Sequence, residues 1–203
     1  MPWKLLVLIG ILKFTLIRIG AEKCFKKVPQ NYHGVSPLVV IDKDEEVSGN
    51  VLRGIIPVLS PENIVHIKFR INQWTNIEWC AILQFFKGDG VGVVYGHRLP
   101  LVMLKQQQGN QHIELSSSVD GVWNHWYGVY SPKLNYDYDV EFRHRYKGSG
   151  VYVFTIVVNG EIVMTKDNYQ AKQFYDVKMY TGMPQAAFCG GVTISYLAVT
   201  NFL

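Results

Sequence analysis

The sequence predicts an all-β protein, a two-sheet antiparallel sandwich, and three observations predict it. Strand-period alternation fills nearly everything after an N-terminal apolar stretch, no helix-period segment interrupts it, and Gly, Pro, Asn and Asp recur between the short apolar runs. Asn63 to Ile71 is the clearest case. Val65, Ile67, Phe69 and Ile71 fall on one face of a strand and Ile64, His66, Lys68 and Arg70 on the other, as a half-buried strand requires.

Taken in order, the candidate strands are Leu38–Ile41, Val51–Leu59, Asn63–Ile71, Trp79–Phe86, Val91–Tyr95, Leu101–Leu104, His112–Ser116, Tyr138–Tyr146, Val151–Val158, Glu161–Thr165, Phe174–Tyr180 and Val192–Thr200. Asn159-Gly160 supplies the two positive-φ residues of a type I′ turn, so Val151–Val158 and the strand from Glu161 form a hairpin. The first of these is apolar on both faces and is expected to be central and covered on each side. Asp139, Glu141, Arg143 and Arg145 give the strand before it one exposed, charge-alternating face. Asp42 to Glu46 reads as a polar turn, and Gln106-Gln107-Gln108 as a solvated loop.

The chain has 203 residues and a net charge of +4. That length suits one domain with a single core, and the scattered Lys and Arg do not point to nucleic acid. Met1-Pro-Trp-Lys4, apolar Leu5–Leu12 and a second apolar stretch ending at Ala21 predict a signal peptide over 1–21. Lys13 and Arg18 interrupt it, and a retained anchor or a buried strand are the other readings. Residues 22–36 form a polar leader, and the domain is expected over 37–203, secreted and without a membrane span once the signal is removed.

Cysteines 24, 80 and 189 cannot all pair within one molecule. Cys80 and Cys189 are either buried small hydrophobes or a disulfide; in the second case Cys24 is the thiol through which a homodimer is expected. The six histidines lack the spacing of a zinc site, and no cofactor fingerprint is present. No metal or cofactor is expected.

The pieces Val51-Leu-Arg-Gly-Ile-Ile-Pro-Val-Leu59, Trp79 opening a buried strand, the loop Tyr95-Gly-His-Arg-Leu-Pro100, the hairpin Tyr152 to Glu161 and Phe174-Tyr-Asp-Val-Lys-Met-Tyr180 together resemble the concanavalin A-like lectin/glucanase superfamily. More narrowly, they resemble the laminin-G-like jelly-roll modules of uncharacterised secreted animal proteins. The resemblance covers about residues 38–203 and implies a jelly-roll sandwich that hosts lectins, glycosidases and adhesion modules alike. Where it implies an acid between Gly and Arg of the Tyr-Gly-x-Arg loop, this chain has His97.

Superfamily members that cleave β-glucans carry Glu-x-Asp-x-Glu on a strand, and this chain has Asp137-Tyr-Asp139-Val-Glu141. A retaining glycosidase needs its two carboxyls about 5–5.5 Å apart, whereas strand positions four apart have Cα atoms roughly 13 Å apart, and Asp137 is a methylene too short to make up the difference. These acids are expected to be a solvated face, with Glu141 against Arg143, and the protein is not expected to be an enzyme.

The remaining candidates are aromatic. Trp123, Asn124, His125, Trp126 and Tyr127, placed between strands, and Tyr95, His97 and Arg98 in the loop combine flat apolar rings with groups that bond hydroxyls, as sugar binding needs. The competing reading is that Trp123 and Trp126 cap the core. The expected partner is a carbohydrate or an extracellular glycoprotein, and the alternative is an adhesive module that self-associates. A β-glucan hydrolase using Asp137 and Glu141 comes third.

Overall fold

A computed structural model of the chain describes residues 34–203, apart from 76, 90–92 and 108. The predicted signal, most of the leader and Cys24 lie outside the described residues. The elements are all strands: β1 (Leu38–Ile41), β2 (Glu45–Glu46), β3 (Val51–Leu59), β4 (Asn63–Ile71), β5 (Trp79–Phe86), β6 (Leu101–Lys105), β7 (His112–Val119), β8 (Val122–Tyr130), β9 (Asp137–Gly148), β10 (Val151–Val158), β11 (Glu161–Asn168), β12 (Phe174–Thr181) and β13 (Val192–Asn201). They form two antiparallel sheets. One runs β1-β13-β4-β9-β10-β11 with β2 also on β13, and the other runs β3-β12-β5-β6-β7-β8. The chain passes repeatedly from one sheet to the other, which makes the sandwich a jelly roll.

Alternation explains the core. Val65, Ile67, Phe69 and Ile71 of β4 are fully buried while His66, Lys68 and Arg70 are not, and Phe85, Phe142 and Phe154 fill the space between the sheets. Asn159 and Gly160 take φ values of 50° and 85°, as the β10–β11 turn requires. Asn159 also extends the ladder sideways, since its N–H donates to the Asp139 carbonyl and its Oδ1 accepts from the Asp139 N–H, both at 2.7 Å.

Four expectations are corrected. The segment Trp123 to Tyr127 does not lie between strands; it is the middle of β8, paired with β7 from Tyr130 to Val122. Asp120 and Gly121 turn the chain there with φ values of 52° and 77°, a second type I′ hairpin. The expected strand at Val91–Tyr95 is absent over its described part, residues 93–95. Strand β10 is paired on both sides, by β9 and β11, but is covered only in part on its outer face: Phe154 and Ile156 are in the core and Val157 is buried, while Val153 and Thr155 are half-exposed. Gln106 is not solvated: it is buried, and its Nε2 donates to Thr75 Oγ1 at 2.8 Å and to Cys80 Sγ at 3.0 Å.

Cys80 of β5 and Cys189 are joined in a disulfide, with both residues fully buried. The link ties β5 of the six-stranded sheet to the segment that leads into β13 of the other. Backbone bonds run beside it, from Ala81 N–H to the Ala187 carbonyl at 2.8 Å and from Cys189 N–H to the Ala81 carbonyl at 3.0 Å. The cysteines are 109 residues apart. By the chain-entropy argument a loop of this length adds about 4–5 kcal/mol to stability. The Cys80→Ala/Cys189→Ala double variant is therefore expected to lose several kcal/mol in chemical denaturation while keeping its β-sheet circular dichroism under native conditions.

Candidate functional site

The outer face of the six-stranded sheet is organised by register. Three rows cross β5, β6, β7 and β8: Gln84–Leu101–Ser116–Trp126, Ala81–Met103–Glu114–Gly128 and Trp79–Lys105–His112–Tyr130. Over the first two rows lies the end of the β5–β6 loop, residues 96–98, which is clamped to β7. Ser118 N–H donates to the Arg98 carbonyl at 2.7 Å, and Gly96 N–H donates to Ser118 Oγ at 3.0 Å. Gly96 has a φ of 99°, and a Cβ there would stand 2.9 Å from the Phe174 ring, so the turn accepts only glycine.

This clamp aims Arg98 across the rows. Its Nη1 donates to Glu114 Oε1 at 2.7 Å, Asn124 Oδ1 at 2.9 Å and Ser116 Oγ at 3.0 Å. The guanidinium also stands 4.6 Å from the centre of the Trp123 ring, in cation–π range. No acceptor among the described residues engages Nη2. The Arg98 and Glu114 side chains are only 18% and 14% exposed, so the pair is partly desolvated and each charge depends on the other.

Arg98 thus joins the two aromatic-polar patches expected from the sequence. Arg98, Asn124 and Trp126 share the outer face, and Trp123 lies against the guanidinium. The others go elsewhere. Tyr127 packs on the core, and His125, in phase with it, has its Nε2 buried. Burial lowers the His125 pKa, the Lys166 cation of β11 lowers it further, and Asp120 opposes them. Tyr95 turns inward, with its ring 5.8 Å from Phe174 and Lys172 above it at 4.7 Å. Burial raises the Tyr95 pKa, against hydrogen bonds from Gly121 and Asn168. His97 is buried; its carbonyl accepts from Gln84 Nε2 at 2.9 Å and its Nε2 lies 3.7 Å from Asp89.

Sequence reasoning missed Glu114, Ser116, Gln84 and Gly128. Asp120-Gly121, read as a hairpin turn, would have placed β8 against β7, but the turn alone pairs Glu114 with Tyr127 and Ser116 with His125; the register shift between Ser117 and Val119 is what sets Gly128 beside Glu114 and Trp126 beside Ser116.

Between the sheets, a cavity of about 20 Å³ is lined by Tyr95, Ser118, His144, Asn168 and Lys172 among others. It has room for about one water and none for a sugar ring. His144 faces this interior with its ring 4.7 Å from Phe154, and burial pushes its pKa down to about 4.

The acids of β9 lie on the outer face of the other sheet, and each has its own cation. Asp137 pairs with Arg70 at 2.7 Å; Asp139 lies 2.6 Å from His66 Nε2 and 3.0 Å from Lys68 Nζ; Glu141 accepts from Arg143 Nε at 2.8 Å and Nη2 at 2.9 Å. Burial pushes the Asp139 pKa up, but Lys68 and His66 outweigh it and hold the carboxyl below its ordinary range. His66, Asp139 and Glu141 offer ligand atoms within 4.8 Å of one another, a cluster that sequence spacing did not reveal. Lys68 and Arg143 already supply positive charge to its carboxylates.

No protein-family model matches the chain, and no curated protein does. Solved structures similar to it include a marine PL7 alginate lyase, AlyA1, from Zobellia galactanivorans, at 16% identity and a TM-score of 0.45 over 71% of this chain and 65% of that one. An alginate lyase from Alteromonas sp. 272 aligns at 6% identity and 0.45, over 72% of this chain and 75% of that one. The galectin LEC-6 of Caenorhabditis elegans aligns at 13% identity and 0.42, over 78% of this chain and 96% of that one. The aligned part of this chain spans less than two thirds of the Zobellia enzyme.

Two predictions follow from this geometry. Arg98→Ala strands the Glu114 carboxylate and is expected to cost on the order of 3 kcal/mol, whereas Arg98→Met with Glu114→Leu is expected to recover most of it. Denaturant midpoints decide the matter, and equal losses in both variants would show the pair to be uncoupled. The second concerns His144, whose pKa of about 4 lies below the ordinary 6.5. The unfolded chain takes up this proton in the window between those values while the folded one does not, so stability falls as pH drops through it, by roughly 3 kcal/mol in all. His144→Leu is expected to flatten that slope, leaving the smaller part due to His125, while Asp139 adds acid sensitivity only below the ordinary carboxylate range. An unchanged slope in His144→Leu would assign the pH dependence to other groups.

Proposed function

We propose that this protein is a secreted, non-enzymatic lectin-like module that binds glycan through the outer face of its six-stranded sheet. The observation that carries the reading is the Arg98 guanidinium, held by Glu114, Ser116 and Asn124 beside the half-exposed Trp126. A pyranose presents an apolar C–H face and a rim of hydroxyls. The Trp126 ring suits the first, and Arg98 Nη2, the Asn124 amide and the Glu114 carboxylate suit the second. Because these polar groups are already oriented by one another, little side-chain freedom is lost when a ligand arrives.

The non-enzymatic part of the reading rests on β9. A glycosidase acid needs a raised pKa next to an ionised partner. Here Asp139 is pulled down, Asp137 and Glu141 are each neutralised by an arginine, and all three lie on the sheet opposite Arg98. The extracellular part rests on the buried Cys80–Cys189 disulfide, a bond that persists in oxidising compartments. Among the described residues no helix is long and apolar enough to cross a membrane.

A second reading, self-association as an adhesive module, is favoured by one observation. Val51, Leu52 and Ile55 of the edge strand β3 and Tyr175 of β12 are exposed on the same sheet.

A glycan array probed with the full secreted protein tests the first reading. Trp126→Ala is expected to keep the melting temperature and lower glycan affinity several-fold, about 1 kcal/mol for a lost aromatic contact. A variant that unfolds makes Trp126 a core residue. Absence of glycan binding together with concentration-dependent dimers favours self-association through β3, and β-glucan turnover that disappears in Glu141→Gln makes the protein an enzyme.

A further inference from the structure

Beyond the polar cluster around Arg98, the same face carries an aromatic strip that a single sugar does not need. We infer that the ligand is an extended, neutral chain of all-equatorial, β-linked pyranoses lying along Trp126, Tyr130 and Trp79, an inference that rests on the glycan-binding reading of this face.

The strip begins on β8, the edge strand of the sheet. Trp126, Gly128 and Tyr130 are in phase, and the two aromatic residues are 48% and 63% exposed. A Cβ at Gly128 would stand 3.1 Å from the Tyr130 ring and 3.2 Å from the Trp126 ring, so both rings lean over the glycine from opposite sides. No backbone constraint calls for glycine there, since its φ is not in the left-handed region. Its effect is to bring two large rings into one nearly continuous apolar surface on an exposed edge.

The strip then turns across the sheet. His112 lies 5.3 Å from Tyr130 and 5.5 Å from Trp79, edge-on to the latter, and is itself only 7% exposed, so it supports both rings from below. Lys105 Nζ stands over the Trp79 ring at 5.3 Å. From Trp126 to Tyr130 the backbone covers roughly 13 Å, and from β8 to β5 three strand spacings cover roughly 14 Å. That is wider than any one pyranose.

The chemistry selects the chain. Flat rings pack best on a sugar whose hydroxyls are all equatorial, because only axial C–H bonds then point at the rings, and an axial hydroxyl lifts the sugar off the surface. Charge selects neutrality. Arg98 is matched by Glu114, and Lys105 over Trp79 is a lone cation rather than a cluster, so the strip offers no concentrated field for an anionic chain.

Calorimetric titration of the full secreted protein with cello- and chito-oligosaccharides of one to six sugars tests this. Affinity is expected to rise at least tenfold from the monosaccharide to the tetrasaccharide and then level off. Gly128→Val, a β-branched residue at home in a strand, is expected to leave the melting temperature unchanged or higher and to bring hexasaccharide affinity down close to that of the monosaccharide. Tyr130→Ala, at an exposed position, is expected to do the same. Equal affinity for one sugar and six, with Trp126→Ala still weakening both, overturns the chain inference and leaves the glycan-binding reading in place. Hexasaccharide affinity unchanged in both Gly128→Val and Tyr130→Ala, or array binding confined to α-linked or anionic chains, also overturns it. Silence both on the array and in the titrations removes the glycan-binding reading itself.

Discussion

Every strand of a two-sheet sandwich must give one of its faces to the interior, because backbone geometry turns successive side chains to opposite sides. The rest of the molecule depends on this constraint. With Phe69, Phe85, Phe142 and Phe154 packed between the sheets, little room remains inside, and the interior cavity holds no more than about one water. Among the described residues, the groups suited to meet a ligand accordingly lie on an outer face, an edge or a loop. The disulfide enforces the same division, since it pins β5 to the approach of β13 and keeps the inner faces of both sheets in contact along that side.

The two outer faces handle charge differently. On the seven-stranded sheet, cations and carboxylates of β4 and β9 lie opposite one another and pair in sequence, Arg70 with Asp137 and Lys68 with Asp139. These are half-exposed pairs of ordinary strength, and each contributes at most about 1 kcal/mol. On the six-stranded sheet, one arginine arrives from a loop and its Nη1 reaches three acceptors on two strands. That cluster is less exposed, is held by backbone bonds from β7, and sits among aromatic rings. The first arrangement neutralises a surface; the second leaves a shaped and partly unsatisfied one.

Much of the fold was legible. Strands β1, β3, β4, β5 and β10 begin and end where alternation and turn residues place them, because period-two patterning and a positive-φ turn are local properties. β8 was not legible because its residues are aromatic and polar together, so alternation alone does not separate its faces; only pairing with β7 gives Tyr127 to the core and Trp126 to the surface. β2, two residues long, carries no periodicity to read.

For the candidate site the division is sharper. Arg98, Asn124 and Trp126 stand out in the sequence as residue types suited to binding hydroxylated ligands. Glu114 and Ser116 look like the wet positions of any half-exposed strand, and Gly128 like a weak point in one. The sequence by itself determined that this chain alternates, turns and buries one face of each strand, since those outcomes depend on neighbours along the backbone. Only the tertiary structure decided that Arg98 meets Glu114 across 16 residues of chain and that Gly128 leaves room for two rings to close over it. Contacts of that kind are set by register between strands and by the path of a loop, and no local pattern encodes either.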